Sequence, residues 1–138
     1  MDDLVERDGL YYEKFTDVSY TGEVTGSVQG AFKGGKREGY WIHSDLDGLL
    51  FTAGSYKNGK EEGAWIYYWS NGQLWHKGDY KNGKKEGSWI YYHDSGQLSA
   101  NLNYKNGKQE GANVVYNKDG TVWPEYTGTF KDGEKISD

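Results

Sequence analysis

The side chains that could carry out chemistry are few in this sequence, and their spacing argues against an active site. The histidines His43, His76 and His93 are scattered, which predicts surface or half-buried positions and not a metal site. Asp45 and Asp47 form a local carboxylate pair, but an Asp-x-Asp before Gly is typical of a turn. The sequence has no Cys, no Gly-x-Ser-x-Gly motif and no phosphate-binding loop. We therefore predict a protein that is not an enzyme and that uses no metal or cofactor.

Lysines recur at two positions that repeat every 24 residues. The members are Lys57, Lys81 and Lys105 at the first position and Lys60, Lys84 and Lys108 at the second. A row of ammonium groups could bind an anionic membrane. Glutamates beside the same positions offset this charge, namely Glu61, Glu62, Glu86 and Glu110. With a formal net charge of −5, the pattern favours a solvated turn region and weighs against nucleic acid as a main partner.

Aromatic side chains are the binding chemistry that this sequence has in abundance. It contains 13 Tyr and 6 Trp, although the mean hydropathy of −0.97 is low. Disordered chains are poor in aromatic residues, so this composition predicts a thin but folded structure. Tyr and Trp dominate interface energetics, and they also stack on sugar rings. We predict a contact surface in the central, ring-rich units, formed by Tyr68, Trp69, Trp75 and Tyr92; the alternative is that rings on both faces only protect a thin sheet.

The elements that would position these rings come from an internal repeat. The string Tyr-Lys-Asn-Gly-Lys-x-x-Gly starts at Tyr56, Tyr80 and Tyr104, each 24 residues after the last, and a degraded copy starts at Phe32. A chain built in this way buries its core between neighbouring copies. We predict a single domain over residues 1–138. Its parts are an N-terminal capping unit (1–29), regular 24-residue repeats (30–120) and a C-terminal capping unit (121–138).

Each unit has the pattern of two strands and two tight turns. In the clearest copy the strands are predicted at 73–81 and 88–93, and Asn82-Gly83 makes the turn between them. No stretch shows the 3.6-residue periodicity of a helix. The prediction is an all-β fold, an elongated single-layer antiparallel meander of repeated β-hairpins with no significant helix.

Strand periodicity predicts which side chains share a face. Leu74, His76, Gly78 and Tyr80 are expected on one face, with Trp75 on the other. On the first face, three Trp at the repeat spacing are expected to form a dry row: Trp41, Trp65 and Trp89. In each unit a Gly stands two residues before the aromatic residue at the end of the first strand, which we call the corner aromatic. At this Gly a missing Cβ would let a ring lie on the backbone. These glycines are Gly30, Gly54, Gly78 and Gly128.

The last repeat departs from the pattern in two ways. Asn113 stands where the row Trp is expected, and Leu102 stands where the corner Gly is expected. These changes fall in adjacent predicted strands, so we expect them to compensate each other. Between Gly120 and Gly128 the chain also has two extra residues, around Pro124. Atypical terminal units are expected as caps of a repeat array.

The string Gly-x-Tyr-Lys-Asn-Gly-Lys-x-x-Gly-x-Trp, followed by aromatics and Asn-Gly-Gln-Leu, resembles the bacterial variant of the MORN repeat (membrane occupation and recognition nexus). It is most similar to the group of YwqK-type antitoxins, and the resemblance covers roughly residues 9 to 133. It implies an extended sheet of β-hairpins. The antitoxin label implies a partner protein that is bound and neutralised, and MORN arrays of eukaryotes are linked to phosphoinositide membranes. Neither role comes with a residue signature that transfers to this chain.

Several functions remain open from the sequence. The leading hypothesis is protein–protein interaction through an aromatic sheet face, with neutralisation of a toxin as the form that the resemblance implies. The alternatives are a glycan or cell-envelope binding module and peripheral binding to anionic membranes. Self-association through an open sheet end or an aromatic face is a further alternative. A cytoplasmic location is favoured because no signal peptide is recognisable; a secreted or envelope location would follow if one had been removed.

Overall fold

The computed structural model describes residues 4–13, 21–45 and 47–138. The remaining parts of the predicted N-terminal capping unit, residues 1–3 and 14–20, lie outside the described residues. The strands in chain order are β1 (Leu4–Arg7), β2 (Leu10–Glu13), β3 (Gly22–Val24), β4 (Val28–Lys33), β5 (Lys36–Ser44), β6 (Leu50–Lys57), β7 (Lys60–Tyr68), β8 (Leu74–Lys81), β9 (Lys84–Tyr92), β10 (Leu98–Lys105), β11 (Lys108–Gln109), β12 (Gly111–Val115), β13 (Gly128–Lys131) and β14 (Glu134–Ser137).

Strands β3 to β14 form one antiparallel, twelve-stranded sheet. Strands that are consecutive in the chain are neighbours in the sheet, except that β11 and β12 both pair with β10. Strands β1 and β2 form a separate hairpin, which is held to the sheet where the Tyr11 N–H donates to the carbonyl of Gly35 at 2.6 Å. In the described part of the chain the helical structure is one 3₁₀ turn, Pro124–Tyr126. The predicted all-β meander is therefore confirmed.

The Asn-Gly turns are two-residue hairpins, as predicted. Asn82 has a φ of 52° and Gly83 a φ of 79°, both in the left-handed region that such turns require. Because the turn holds only these two residues, Lys81 pairs directly with Lys84. Strand β9 therefore begins at Lys84, four residues earlier than the sequence predicts. Gly87, the last residue of the repeated string, also has a positive φ of 75°, which explains why Gly stands there.

The predicted tryptophan row is the buried core of the sheet. Trp41, Trp65 and Trp89 are 0%, 4% and 0% exposed. We call the side of the sheet that holds these three rings the tryptophan face, and the other side the opposite face. Corner aromatics fill the spaces between the indoles; the Tyr80 ring, for example, lies 6.0 Å from Trp65 and 5.0 Å from Trp89, edge-on to both. The core is therefore a line of interlocking rings along a single sheet.

Each indole lies flat on a glycine of the preceding strand. A Cβ built on Gly30, Gly54 or Gly78 would overlap the ring of Trp41, Trp65 or Trp89, respectively. The predicted reason for these glycines is confirmed. It is wrong for Gly128, where an added Cβ would instead meet the backbone carbonyl of Ser137. Strand β14, which follows Gly128 in the sheet, contains no Trp that would lie on this glycine.

Alternation of side chains is interrupted near the start of β8. Tyr67 pairs with His76, whereas the next residue, Tyr68, pairs with Leu74, so Trp75 is an extra residue in this strand. The Trp75 ring lies 4.6 Å from the His76 ring, which places it on the tryptophan face. Leu74 lies on the opposite face with Tyr68. The predicted faces of Leu74 and Trp75 are wrong because a β-bulge shifts the two-residue period.

The glutamates of the repeat bind the hairpin turns to one another. The Glu62 carboxylate accepts a hydrogen bond of 2.9 Å from the backbone N–H of Asn82, in the next turn. The carbonyl of Glu61 accepts another, also 2.9 Å long, from Gly83. The same carboxylate contact joins Glu38 to Asn58, Glu86 to Asn106 and Glu110 to Asp132. Each turn is thus tied to the preceding unit, a role that goes beyond the predicted offsetting of lysine charge.

A double-mutant cycle tests the contact between indole and glycine. We expect Trp89→Ala to lower the free energy of unfolding by about 3–5 kcal/mol and Gly78→Ala to lower it by about 2–3 kcal/mol, because its methyl group overlaps the ring. In the Trp89→Ala background, Gly78→Ala should cost much less, since the ring is gone. Urea denaturation gives all three values, and the exposed Tyr40→Ala is the control. Additive costs for Gly78→Ala and Trp89→Ala would contradict the proposed packing.

The glutamate contact to the next turn is tested at Glu86. We expect Glu86→Ala to lower the free energy of unfolding by about 1 kcal/mol, because the Asn106 N–H loses a charged acceptor. Glu125→Ala is the matched control, since Glu125 is exposed in the 3₁₀ turn, and it should change stability by less than about 0.5 kcal/mol. Urea denaturation of both variants gives the comparison. Equal stabilities would show that the carboxylate contact contributes nothing.

Candidate binding surface

The turns at the two ends of the strands form two long sides of the sheet, and these two sides, here called edges, differ in chemistry. A meander sends every second turn to the same edge, so the Asn-Gly turns lie along one edge and the turns between units lie along the other. We call the first the lysine edge, because exposed lysines flank its turns: Lys33, Lys36, Lys57, Lys60, Lys81, Lys84, Lys105 and Lys108. We call the second the apolar edge. It is defined by Leu50, Phe51, Trp69, Trp75, Leu98, Val122 and Trp123.

Exposed apolar side chains follow the repeat along the apolar edge. Leu50, Leu98 and Val122 occupy one repeat position and are 37%, 41% and 46% exposed. Phe51 and Trp123, each at the next position, are 52% and 42% exposed. Large apolar side chains that face solvent singly are common, whereas their recurrence along one side of the sheet is typical of a contact surface. Ser99 interrupts the second of the two positions.

Two of the predicted contact residues meet at the middle of this edge. The rings of Trp69 and Trp75 stack with centroids 4.5 Å apart and an interplanar angle of 27°. The Trp69 indole N–H donates to the carbonyl of Tyr92 at 3.1 Å, in the next unit. All three side chains are half-buried. The Trp69 indole therefore both presents a ring surface and joins two units.

The two predicted tyrosines lie on the other side of the same edge. Tyr68 pairs with Leu74, and Tyr92 occupies the equivalent place opposite Leu98. Each follows a tyrosine of the tryptophan face in its strand, so its ring points to the opposite face. The four predicted residues thus flank the apolar edge from both faces, and no one sheet face holds them all.

Sequence reasoning missed the most exposed part of this surface. Leu49, Leu50 and Phe51 precede the ring-rich central units, and Val122 and Trp123 follow them. The predicted surface is confined to the central units, where aromatic residues are most frequent. Aligning the units at 24 residues places Leu50 and Val122 in one repeat position and Phe51 and Trp123 in the next. This alignment by repeat position is the sequence signal that could have identified these exposed residues.

A second group of rings on the tryptophan face has a structural role. The His76 ring lies between those of Tyr67 and Tyr91, with centroids 4.1 and 4.9 Å away and interplanar angles of 19° and 18°. Burial, together with the charge of Lys85, lowers the pKa of His76 to about 4. Lys85 donates to the Tyr91 hydroxyl at 2.8 Å and lies 4.8 Å from the Trp89 ring. His76 is therefore neutral near pH 7 and packs as a ring.

The opposite face carries a shallow groove of ≈ 460 Å³. Its apolar part is lined by Tyr40, Ala53, Ala64, Ile66 and Ile90. Two charged side chains, Lys77 and Asp79, also line it.

The residues considered for catalysis or metal binding have other surroundings. The Asp45 carboxylate accepts hydrogen bonds from the N–H groups of Asp47 and Leu49, at 3.0 and 2.9 Å, so the predicted turn is confirmed. His43, His76 and His93 are all half-buried, as predicted. Within residues 4–13, 21–45 and 47–138, no group of three or more His, Cys, Asp or Glu is placed to hold a metal ion. In the same ranges no helix has the length and apolar character needed to cross a membrane.

No protein family and no curated protein matches the sequence of this chain. Function is therefore inferred from the geometry of the chain, together with the resemblance of its repeat. The feature with the clearest binding chemistry is the apolar edge, because its exposed groups repeat in register with the units.

The pKa of His76 predicts a pH dependence of stability. The folded pKa of about 4 lies below the ordinary 6.5, so the fold favours the neutral ring. Stability from His76 is complete above about pH 6.5 and falls as the pH drops toward 4. We expect His76→Phe, which keeps a ring without the titration, to lose less free energy of unfolding than the parent over this range. Urea denaturation at several pH values measures both; equal losses would contradict the prediction.

Proposed function

We propose that this protein is a non-enzymatic repeat protein that binds another protein along the apolar edge. The observation that supports this proposal is the alignment of exposed apolar side chains at the repeat spacing, from Leu50 and Phe51 to Val122 and Trp123. Tyr68, Trp69, Trp75 and Tyr92 form the centre of the proposed contact surface. Large aromatic and apolar side chains in one patch are the residues that usually carry most of the energy of a protein interface.

The composition of the apolar edge favours a protein partner over the alternatives. Leu50 and Leu98 bring aliphatic groups, which suit an apolar protein surface better than a sugar ring. Asp45, Asp94 and Asp119 are exposed in the turns of the same edge and would repel an anionic membrane. On the lysine edge the ammonium groups are accompanied by the turn-bonding glutamates. Glycan and membrane binding therefore remain as outcomes that the experiment must distinguish.

The resemblance to YwqK-type antitoxins implies the kind of partner. Such a partner would be a toxin that is neutralised when it is bound. A rigid, pre-formed edge suits this task, because binding then orders few additional groups. A cytoplasmic location belongs to the same proposal, and the absence of Cys is compatible with a reducing compartment.

The proposal is tested by affinity capture from a lysate of the native host. The parent chain is compared with a Trp69→Ala, Trp75→Ala, Tyr92→Ala variant and with a Lys57→Ala, Lys81→Ala, Lys105→Ala control on the lysine edge. Captured proteins are identified by mass spectrometry, and their affinity is then measured with purified components. We expect one protein that the parent and the lysine control retain and that the aromatic variant binds at least about tenfold more weakly.

The structure dictates one further control. Because Trp69 donates to the carbonyl of Tyr92, its loss could weaken the fold as well as the surface. A Leu50→Ala, Phe51→Ala variant changes only exposed side chains and should also weaken capture while its thermal midpoint stays near that of the parent. Capture that both apolar-edge variants retain would refute the proposal. Release by free sugars would indicate a glycan module, and vesicle binding lost only in the lysine control would indicate a membrane module.

A further inference from the structure

A row of rings on the tryptophan face stops abruptly in the last repeat. Tyr67, His76, Tyr91, Ala100 and Val115 are successive cross-strand neighbours in the sheet. The first three carry rings stacked at centroid distances of 4.1 and 4.9 Å. By the 24-residue spacing, Ala100 stands at the place of His76 and Val115 at that of Tyr91. One side of the Tyr91 ring therefore has no stacking ring beside it at the next two positions of the row.

The tryptophan row ends at the same point. Asn113 stands at the place of Trp89 and is almost completely buried. Its side-chain carbonyl accepts a hydrogen bond of 2.6 Å from the Asn103 N–H, and its amide donates to the Gln109 side chain at 3.1 Å. These bonds satisfy the polar groups of Asn113, but the side chain is much smaller than an indole. Leu102, at the glycine position, adds the volume that Asn113 lacks, but as an aliphatic side chain it continues neither row of rings.

The segment with the two extra residues lies across from Tyr91 and bounds the space that the rows of rings leave. It contains the 3₁₀ turn Pro124–Tyr126, and the ring of Tyr126 lies edge-on to that of Trp123 at 4.8 Å. Tyr126 and Phe130 face the gap that the missing rings leave. Val115, where the other units have His43, Tyr67 and Tyr91, and the insertion are separate departures from the repeat, yet both border one space.

That space is a cavity of ≈ 270 Å³ on the tryptophan face, half open to solvent beside the exposed Tyr126. Tyr91, Ala100, Leu102 and Val115 line it together with the two rings of the far wall, and Gln109 and Ser99 contribute polar groups. An apolar cavity of about 150 Å³ is already large enough to bind benzene. The space therefore accommodates a molecule of one or two rings.

We infer that this cavity is a binding site for a small planar aromatic molecule that continues the ring stack next to Tyr91. The lining specifies the ligand class: a flat apolar body between Tyr91 and Tyr126, with one polar substituent that can reach Gln109 or Ser99. Aromatic rings in such stacked or edge-on arrangements gain energy beyond burial of their area. The site borders the apolar edge, since Tyr126 packs on Trp123, but its ligand and its test differ from those of the proposed protein partner.

Indole is the probe for this site, because it is planar and has one polar N–H. Protein with labelled methyl groups is titrated with indole and followed by NMR. We expect saturable shifts of the methyl signals of Ala100, Leu102 and Val115, which line the cavity. The methyl signals of Ala53 and Ile66, in the groove of the opposite face, should not shift. Cyclohexane, similar in apolar character but not planar, should bind at least tenfold more weakly.

Variants that place an aromatic side chain inside the cavity test whether indole binds there. Ala100→Phe places a ring where His76 has one in the preceding unit, and we expect indole binding to weaken at least tenfold. Ala112→Phe is the control, since Ala112 is exposed and next to Asn113 in the strand; it should leave the affinity within twofold. If Ala100→Phe does not give a folded protein by circular dichroism, Val115→Tyr makes the same test with the residue type of Tyr91.

Three results would overturn this inference. The first is the absence of any saturable methyl shift up to the solubility limit of indole. The second is binding that neither Ala100→Phe nor Val115→Tyr weakens. The third is equal affinity for cyclohexane, which would reduce the site to an apolar void with no preference for rings.

Discussion

The contact between an indole ring and the backbone of a glycine is the interaction on which this structure depends. A single-layer sheet has no second layer to cover its face, so its core must come from side chains that lie along the sheet itself. The rings of Trp41, Trp65 and Trp89 achieve this because the neighbouring strand offers Gly30, Gly54 and Gly78, which leave the backbone open to a flat ring. Any larger residue at the glycine would lift the indole away from the sheet and expose it.

The remaining regularities of the repeat support that contact. The two-residue turns start each hairpin in register, and a bulge between Ser55 and Gly54 then brings Trp65 opposite its glycine. The glutamate bonds hold each turn against the unit before it. The hydrogen bonds at the lysine edge and the ring packing in the centre of the sheet therefore recur with the same 24-residue spacing. The turns of the apolar edge are joined to the next unit by other contacts, such as those of Trp69 with Tyr92 and of Asn71 with Asp94, and this edge is where apolar groups reach solvent.

The last repeat shows what happens when the interaction is absent. Asn113 takes the place of the indole and Leu102 that of its glycine, and a cavity lined by Ala100, Leu102 and Val115 lies in this unit. The array thus combines units that are closed by rings with one unit that is open. Repeat proteins can vary a single unit in this way because each unit contacts mainly its neighbours.

The sequence by itself determined the meander, the Asn-Gly turns and the buried tryptophan row, because these follow from local backbone preferences and from spacing along the chain. Only the tertiary structure decided the faces of Leu74 and Trp75, since a bulge depends on how two strands pair and shifts the alternation that sequence reasoning assumes. The exposure of Phe51 and Trp123 and the cavity beside Ala100 were likewise decided by neighbours distant in sequence. Spacing specifies which residues recur, whereas packing across strands determines which of them remain open to a partner.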